Sequence, residues 1–380
     1  MIFFFTIFFS VYSIINYYVF IRGWQMLSGY PALNPFYIFI FLFFSLSYIF
    51  VKIFYTKIPA FIHDLLLWIG SFWFAMLLYF VLILFLTDLL RFSDFIFNFL
   101  PLWLKSPDEK TKMLIGITII FSVALIVLLG FINRLNFKVK TFEITLPKKA
   151  GRLSALNLVM LSDLHLSPIN NENFLQKIIS IVNNLNPEII LLPGDIFDDR
   201  AEVLERNEIG KSLNDLKAKY GVFAVTGNHE FINGVAHSVK FIQGKGITVL
   251  RDDFIKVGGT YFIIGRDDVS KANFTKEKRK NLSDIISGIN EDLPLILMDH
   301  TPVKLNEAVE NNIDLQLSGH THNGQMFPLN FITKIVYEKS WGYLKKGNTQ
   351  FYVSSGIGSW GPPVKLASDA EIVNLKIRFL

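Results

Sequence analysis

The chain has 380 residues, of which 51% are hydrophobic and only 18% are charged, and its formal net charge is +5. Soluble domains carry about 25% charged residues, so this composition argues against a purely cytosolic enzyme, and its apolar content excludes an intrinsically disordered protein. The chain contains no cysteine, which excludes disulfides, thiolate metal sites and cysteine nucleophiles. The small basic excess forms no clustered basic segment, so no nucleic-acid binding is expected.

The first 134 residues are expected to form an all-α transmembrane domain. They hold 24 of the 38 Phe residues but only 8 Lys and Arg and 5 Asp and Glu. A helix that spans a bilayer needs about 20 apolar residues. Four runs are long enough, at residues 2–21, 35–54, 65–86 and 113–132. The first run lacks both a basic start and a small-residue cleavage motif, which favours an uncleaved span over a signal peptide.

Residues 88–104 place apolar side chains at helical spacing after the third run. They indicate either an interfacial helix along the bilayer surface or an extension of the third span. The four runs together predict a multi-pass integral membrane protein whose partner is the lipid bilayer. Eight Lys and Arg residues flank the spans on the side of the second half, against five on the other. This balance favours a cytoplasmic second half but leaves the side undecided.

Residues 135–155 are expected to form a connector with one strand at 136–146. From residue 156 to 380, short apolar runs alternate with amphipathic segments, which predicts an α/β domain. Five apolar runs lead into loops rich in Asp, His or Asn: 156–161, 189–192, 222–225, 295–298 and 313–317. Helices are expected at 171–184, 206–219, 276–289 and 302–310.

Side chains that bind metal ions follow these apolar runs at regular spacing. Asp195 comes 32 residues after Asp163, and Asn228 comes 33 residues after Asp195, each close to one strand–helix–strand unit of about 30 residues. Strands connected in this way bring their loops to one edge of the sheet. The candidate metal ligands are Asp163, His165, Asp195, Asn228, His300, His320 and His322. Such ligands without thiolate suit Mn, Fe or Zn, and their number favours two divalent metal ions over one.

Five sequence blocks contain these residues and occur in a fixed order. They are Asp163-Leu-His165, Gly194-Asp195-Ile-Phe-Asp198, Gly227-Asn228-His229-Glu230, His300 and Gly319-His320-Thr-His322. Together they resemble the signature of the calcineurin-like metallophosphoesterase superfamily, and residues 319–325 and 354–363 resemble its bacterial, often membrane-attached branch. The resemblance implies a four-layer α/β/β/α sandwich around a dinuclear metal centre, and it favours a bacterial inner membrane as the location.

The resemblance also implies roles for individual residues. One metal ion would be held by Asp163, His165, Asp195 and His322, and the other by Asp195, Asn228, His300 and His320. His229 corresponds to the catalytic histidine that faces the substrate phosphate, and Asp198 and Glu230 correspond to groups that orient the ligands. Asn323 departs from the branch, which most often has glycine there, but Asn tolerates a left-handed backbone better than most residues.

The expected function is a membrane-anchored phosphoesterase that hydrolyses phosphodiester, phosphomonoester or pyrophosphate bonds with a metal-activated hydroxide. The membrane anchor favours a lipid-linked phosphate ester as substrate. Trp360 is equally expected to contact substrate at the rim of the site or to pack inside the sandwich. One alternative is a non-catalytic metal-binding or regulatory module on the membrane. Another is a transport unit, which the lack of charged residues in mid-span disfavours. The oligomeric state stays open.

Overall fold

The computed structural model describes residues 2–55 and 57–380, with side chains described for residues 6–55 and 57–380. The chain forms two compact units. The first runs to Phe131 and includes Gly361–Val364, and the second comprises Ile132–Trp360 and Lys365–Leu380.

Five α-helices occur in the described part of the chain before the first strand: α1 Ile2–Met26, α2 Asn34–Phe54, α3 Ala60–Phe97, α4 Leu102–Lys105 and α5 Glu109–Arg134. Among the described residues, three helical segments are long and apolar enough to cross a membrane, namely Pro31–Phe54, Ala60–Phe97 and Glu109–Arg134. Helices suit this role because they satisfy every backbone polar group internally. Three candidate spans are therefore found among the described residues, where the sequence predicts four. The first predicted span, at 2–21, falls on α1, and the side chains of residues 2–5 lie outside the described ones.

Helix α3 is longer than the span predicted at 65–86. It continues to Phe97 and ends at Asn98, whose left-handed backbone (φ 52°) interrupts the helix. The Asp94 carboxylate then accepts a hydrogen bond from the backbone N–H of Leu100 at 2.6 Å, which stabilises the turn after the helix. Of the two alternatives for residues 88–104, the structure shows an extension of the third helix as far as Phe97. The prediction of a separate interfacial helix that begins at residue 88 is wrong.

Twelve strands form two six-stranded sheets within the described residues of the second unit. They are β1 Phe137–Leu146, β2 Ala155–Met160, β3 Ile189–Pro193, β4 Val222–Val225, β5 Thr248–Val249, β6 Asp253–Val257, β7 Tyr261–Gly265, β8 Leu295–Met298, β9 Leu315–Ser318, β10 Gly342–Lys346, β11 Thr349–Val353 and β12 Ala370–Phe379. The sheet orders are β1-β12-β2-β3-β4-β5 and β10-β11-β9-β8-β7-β6. Strands β2, β3 and β4 run parallel, as do β7, β8 and β9, so each set has its carboxyl ends at one edge. The predicted strands are confirmed.

Eight α-helices accompany the strands in the same described region: α6 Glu172–Asn184, α7 Ala201–Arg206, α8 Asn228–Ile232, α9 Val235–Gln243, α10 Lys271–Thr275, α11 Leu282–Ile286, α12 Asn306–Glu310 and α13 Leu329–Val336. The prediction of α6 is confirmed, and Asn171 caps it by accepting a hydrogen bond from Phe174 N. The helix predicted at 206–219 is wrong, because Gly210 (φ 86°) is left-handed and a short 3₁₀ turn follows it. The helices predicted at 276–289 and 302–310 are shorter, since left-handed residues at Lys276 and Lys304 precede α11 and α12.

Apolar side chains on both faces of the sheets produce four layers. A core between the sheets unites Leu158 of β2 with Ile263 of β7. The other face of the first sheet packs against α6 and α9 through Ile178 and Ile242. The other face of the second sheet packs against α11 and α12, with Ile285 in that core. The α/β/β/α sandwich is thereby confirmed.

Candidate metal centre

The candidate metal ligands lie at the carboxyl ends of parallel strands in both sheets. They follow, in chain order, β2 (Asp163, His165), β3 (Asp195), β4 (Asn228), β8 (His300) and β9 (His320, His322). Five of the seven have a left-handed backbone, with φ between 46° and 69°. Such conformations are costly for residues other than glycine and concentrate at functional sites. The strained turns place the ligand side chains directly beyond the strand ends.

One cluster consists of Asp163, His165 and His322, which are all buried and whose ligand atoms lie within 4.8 Å of one another. The Nε2 atoms of the two histidines are 2.9 Å apart. Asp163 Oδ1 lies 3.5 Å from His322 Nε2. Burial and the neighbouring His165 lower the pKa of His322 well below its usual value, so His322 is neutral. Two ring nitrogens this close need a proton or a cation between them.

A second cluster consists of Asp195, His300 and His320, again with ligand atoms within 4.8 Å. His300 Nε2 lies 3.1 Å from Asp195 Oδ2 and 3.2 Å from Asn228 Oδ1. His320 Nδ1 lies 2.8 Å from the same Asn228 oxygen. His300 Nδ1 donates to the carbonyl oxygen of Pro193 at 2.7 Å, which fixes the ring with Nε2 towards the cluster. The structure thus brings all seven candidate ligands together in two adjoining groups.

Asp195 lies between the two clusters. Its Oδ2 atom is 3.1 Å from His300 Nε2 and 3.7 Å from His165 Nε2. Burial raises the pKa of Asp195, but the positive charges of His300 and His229 outweigh burial and hold that pKa well below its usual value. Asp195 is therefore an ionised carboxylate within reach of histidines from both clusters, as a bridging ligand must be.

Two glycines allow the ligand loops to approach one another closely. A Cβ atom on Gly319 would lie 2.2 Å from Asp163 Oδ2, and one on Gly194 would lie 2.7 Å from His300 Nδ1. Real Cβ atoms do not come this close to other heavy atoms, so a larger residue at either position would displace a ligand.

Glu230 holds the loop that carries Asp195. Its buried carboxylate accepts backbone hydrogen bonds from Asp195 (3.0 Å), Ile196 (2.8 Å), Phe197 (3.2 Å) and Gly227 (2.7 Å). Burial, and then the charge of Asp195, raise the pKa of Glu230. Glu230 therefore contacts the backbone of the ligand loops, and its carboxylate belongs to neither cluster.

His229 lies beside the clusters with Asp198 as its partner. His229 Nδ1 is 2.8 Å from Asp198 Oδ1, and the same carboxylate oxygen is 3.5 Å from His165 Nδ1. Burial lowers the pKa of His229, but Asp195 and Asp198 outweigh burial and raise it to about 9. The ring of His229 also offers a nitrogen within 4.8 Å of ligand atoms of His165 and Asp195. His229 is thus placed next to the candidate ligands as a cation.

Trp360 lies at the rim of the same site. Its side chain is 55% exposed, and its ring centroid is 6.3 Å from that of His229. Gln325 fixes its backbone, because Gln325 Nε2 donates to Trp360 O at 3.0 Å and Gln325 Oε1 accepts from Trp360 N at 2.8 Å. An exposed ring beside His229 excludes a tryptophan packed inside the sandwich.

The residues of the two clusters fit divalent metal ions. Asp163 Oδ2 and His322 Nδ1 are buried and have no hydrogen-bond partner among the described residues. Native structures rarely leave such buried atoms unpaired unless an ion or water satisfies the group. The donors are carboxylate, imidazole and amide oxygen, a set that suits Mn, Fe or Zn.

One acidic loop beside the candidate ligands was not predicted from the sequence. Strand β7 leads into Arg266, Asp267 and Asp268 at the same edge of the second sheet as His300. Asp268 is buried and accepts a hydrogen bond from Thr301 Oγ1, next to His300, at 2.5 Å. The signal was present in the sequence, since the apolar run at 261–265 ends in charged residues like the other strands of the site.

Known proteins share this domain. Residues 156–324 match the family described as calcineurin-like phosphoesterase. A Campylobacter jejuni metallophosphoesterase is 33% identical over 293 residues, which cover 73% of this chain and 75% of that protein. A Helicobacter pylori metallophosphoesterase is 32% identical over 227 residues, or 58% of this chain and 60% of that protein. A Danio rerio transmembrane protein with a metallophosphoesterase domain is 31% identical over 252 residues, or 63% of this chain and 57% of that protein.

The fold, the clustered carboxylates and histidines, and these matches define a metal-dependent phosphoesterase domain. The chain belongs to the calcineurin-like phosphoesterase family. It spans about 60% of the length of the Helicobacter pylori protein, so the match concerns the shared domain and leaves much of that relative uncovered.

Proposed function

We propose that the chain is a membrane-anchored, dinuclear metal-dependent phosphoric ester hydrolase. Its transmembrane domain would occupy residues 1–134, its connector residues 135–155 and its catalytic domain residues 156–380. The observation that carries the proposal is the pair of ligand clusters that meet at Asp195. A single carboxylate within 3.7 Å of histidines from both clusters suits two metal ions better than one.

The proposed ligands divide into two sets that share Asp195. One set is Asp163, His165, Asp195 and His322, and the other is Asp195, Asn228, His300 and His320. When bound, divalent ions such as Mn, Fe or Zn supply Lewis acidity, which offsets the charge of the phosphate and makes hydroxide available near neutral pH. Glu230 contributes indirectly by fixing the backbone on either side of Asp195.

His229 is the proposed catalytic residue of the chain. Asp198 occupies its Nδ1 atom at 2.8 Å and keeps the ring charged. Its Nε2–H remains to hydrogen-bond a phosphate oxygen, where negative charge increases in the transition state, or to protonate the departing oxygen. Asp198 therefore acts as a positioning residue for His229.

The proposed substrates are phosphodiesters, phosphomonoesters or pyrophosphates, including lipid-linked ones. Three candidate spans in the same chain would tether the catalytic domain to a bilayer, and the exposed ring of Trp360 offers an apolar surface at the rim. Bacterial relatives support a bacterial inner membrane as the location. The Lys and Arg balance favours a cytoplasmic catalytic domain.

The test is hydrolysis by the full chain in lipid nanodiscs, supplied with Mn²⁺, Zn²⁺ or Mg²⁺. Aryl phosphodiesters, nucleotides and lipid pyrophosphates serve as substrates. Asp195→Asn should abolish turnover and reduce bound metal, whereas His229→Ala should keep the metal and lower the rate by about 10²–10⁴-fold. His237→Ala, at an exposed position on α9, is the matched control and should leave both unchanged. Full metal loading without turnover on any substrate would instead indicate a non-catalytic module.

A further inference from the structure

Helix α13, Leu329–Val336, exposes its apolar side chains. Phe331, Ile332, Ile335 and Val336 are all exposed, and Ile335 is 85% exposed. These positions are spaced one, three and one residues apart, so they lie on one face of the helix. Isolated exposed apolar residues are ordinary, but a contiguous group on one element marks a contact surface.

The side of α13 that faces the protein is less apolar than the side that faces away. Leu329, Asn330 and Thr333 are half-buried, and no residue of the helix is fully buried. The helix begins against the ligand loop, where a Cβ atom on Gly324 would lie 2.3 Å from Asn330 N. The ring of Phe331 contacts the ring of Phe327, with centroids 5.8 Å apart, but both rings are about half exposed. The apolar face of α13 therefore remains largely exposed in the described fold.

A bilayer matches this face better than another protein surface does. The only charged residue of α13 is Lys334, and the helix has no acidic residue. Apolar residues with a Phe on one face and a lysine near the polar side are typical of helices that lie in a membrane interface, where anionic lipids attract the lysine. The same chain carries three candidate spans, and only two residues separate the end of α5 from β1. The second unit is therefore connected to the candidate spans by a very short segment.

We infer that α13 is a membrane-docking helix whose face of Phe331, Ile332, Ile335 and Val336 enters the headgroup region of the bilayer. The inference requires no turnover and goes beyond the proposed function. Its consequence concerns the metal centre, because α13 begins four residues after Gln325, and Gln325 holds Trp360 at the rim. Docking would hold that rim at the lipid surface.

The test uses the absence of cysteine in the chain, which makes every introduced cysteine unique. Full-length Ile335→Cys is labelled with an environment-sensitive nitrobenzoxadiazole fluorophore and reconstituted into vesicles of phosphatidylcholine and phosphatidylglycerol. Lys219→Cys is the control, because Lys219 is 65% exposed and precedes β4, at the sheet edge opposite the metal centre. Phe331→Cys provides a second label on the same face of α13 if Ile335→Cys fails to fold.

The expected result is blue-shifted emission at position 335, with severalfold stronger quenching by doxyl-labelled lipids than at position 219. Iodide in the aqueous phase should quench the label at position 219 more strongly than the label at position 335. Equal emission and equal iodide quenching at both positions would overturn the inference. A label shielded from iodide but not quenched by lipid, especially at high protein density, would also overturn it and would indicate a second copy on this face. Neither result depends on phosphoesterase activity.

Discussion

Replacing Arg134 by methionine should destabilise the second unit and disturb the metal centre. Arg134 is the last residue of α5 and is buried. Its Nε–H donates to Ser359 Oγ at 3.0 Å, and its Nη2 donates to Ile169 O at 3.0 Å and to Asn170 Oδ1. Methionine resembles the aliphatic part of arginine, but it is shorter and has none of these donors, so the acceptors would remain buried without a partner.

The effect on the metal centre should pass through Asn170. Asn170 Nδ2 donates to His165 O at 2.8 Å, to Leu164 O at 3.2 Å and to Ser359 O at 3.0 Å. These bonds join the segment of the candidate ligand His165 to the segment that leads to Trp360. Arg134 fixes the amide group that makes them, and it therefore acts as a positioning residue.

The expected loss of unfolding free energy follows from the three hydrogen bonds of Arg134. A hydrogen bond to a charged group is worth about 1.5–3 kcal/mol, but bonds in one network are not additive. We expect a total loss of about 3–5 kcal/mol, since three acceptors lose one shared donor group. For a domain of this size the loss corresponds to a fall of about 10 °C in the unfolding temperature. Metal affinity should fall by about tenfold, as it does when groups that support ligands are lost.

The assay is thermal unfolding and metal titration of the full chain in detergent. Arg378→Met is the matched control, because Arg378 also bonds a side-chain oxygen, Glu143 Oε2, at 3.1 Å but is 69% exposed. Exposed pairs contribute about 0–1 kcal/mol, so the control should unfold within about 2 °C of the wild type. Equal behaviour of Arg134→Met and Arg378→Met in both measurements would refute the proposed role of Arg134.

Two further variants test the supports of the ligand loops. Gly319→Ala should reduce metal binding and turnover, because its Cβ atom would lie 2.2 Å from Asp163 Oδ2. Gly288→Ala, where no atom lies within 4 Å, should retain metal in the same titration despite a strained backbone. Glu230→Gln should cost about 1–3 kcal/mol in unfolding free energy, since the new NH₂ group would face backbone N–H donors. A Glu230→Gln protein with wild-type stability and metal affinity would contradict the role assigned to the buried carboxylate.

The convergence of the candidate ligands could be predicted because it depends on strand periodicity. Apolar runs such as 189–192 are long enough for a strand only, and Asp195 had to lie at the carboxyl end of its strand. Parallel strands then bring such loops together, regardless of the length or continuity of the helices between them. The wrong helix prediction at 206–219 therefore did not affect the prediction of the ligand positions. Gly210 interrupts that helix, but the spacing from Asp195 to Asn228 is unchanged.

Other contacts could not be predicted because their partners are distant in the sequence and have no chemical signature. In the sequence, Arg134 lies at the end of an apolar run and is simply one of the basic residues that flank the predicted spans. Its acceptor Ser359 lies 225 residues away. Asp268 had a local signal, since it follows a strand, whereas the outward face of α13 had none, because apolar residues at helical spacing normally indicate burial.

These contacts also bear on where the metal-binding unit begins. The family match starts at residue 156, and the sequence predicts a connector with one strand at 135–155. In the structure β1 pairs with β12 along ten residue pairs, and Arg134 bonds the segment that supports His165 through Asn170. The end of α5 is therefore part of the same hydrogen-bonded unit as the candidate ligands. Helix α5 is also a candidate span. A displacement of its last turn would therefore be transmitted to His165 through the side chains of Arg134 and Asn170.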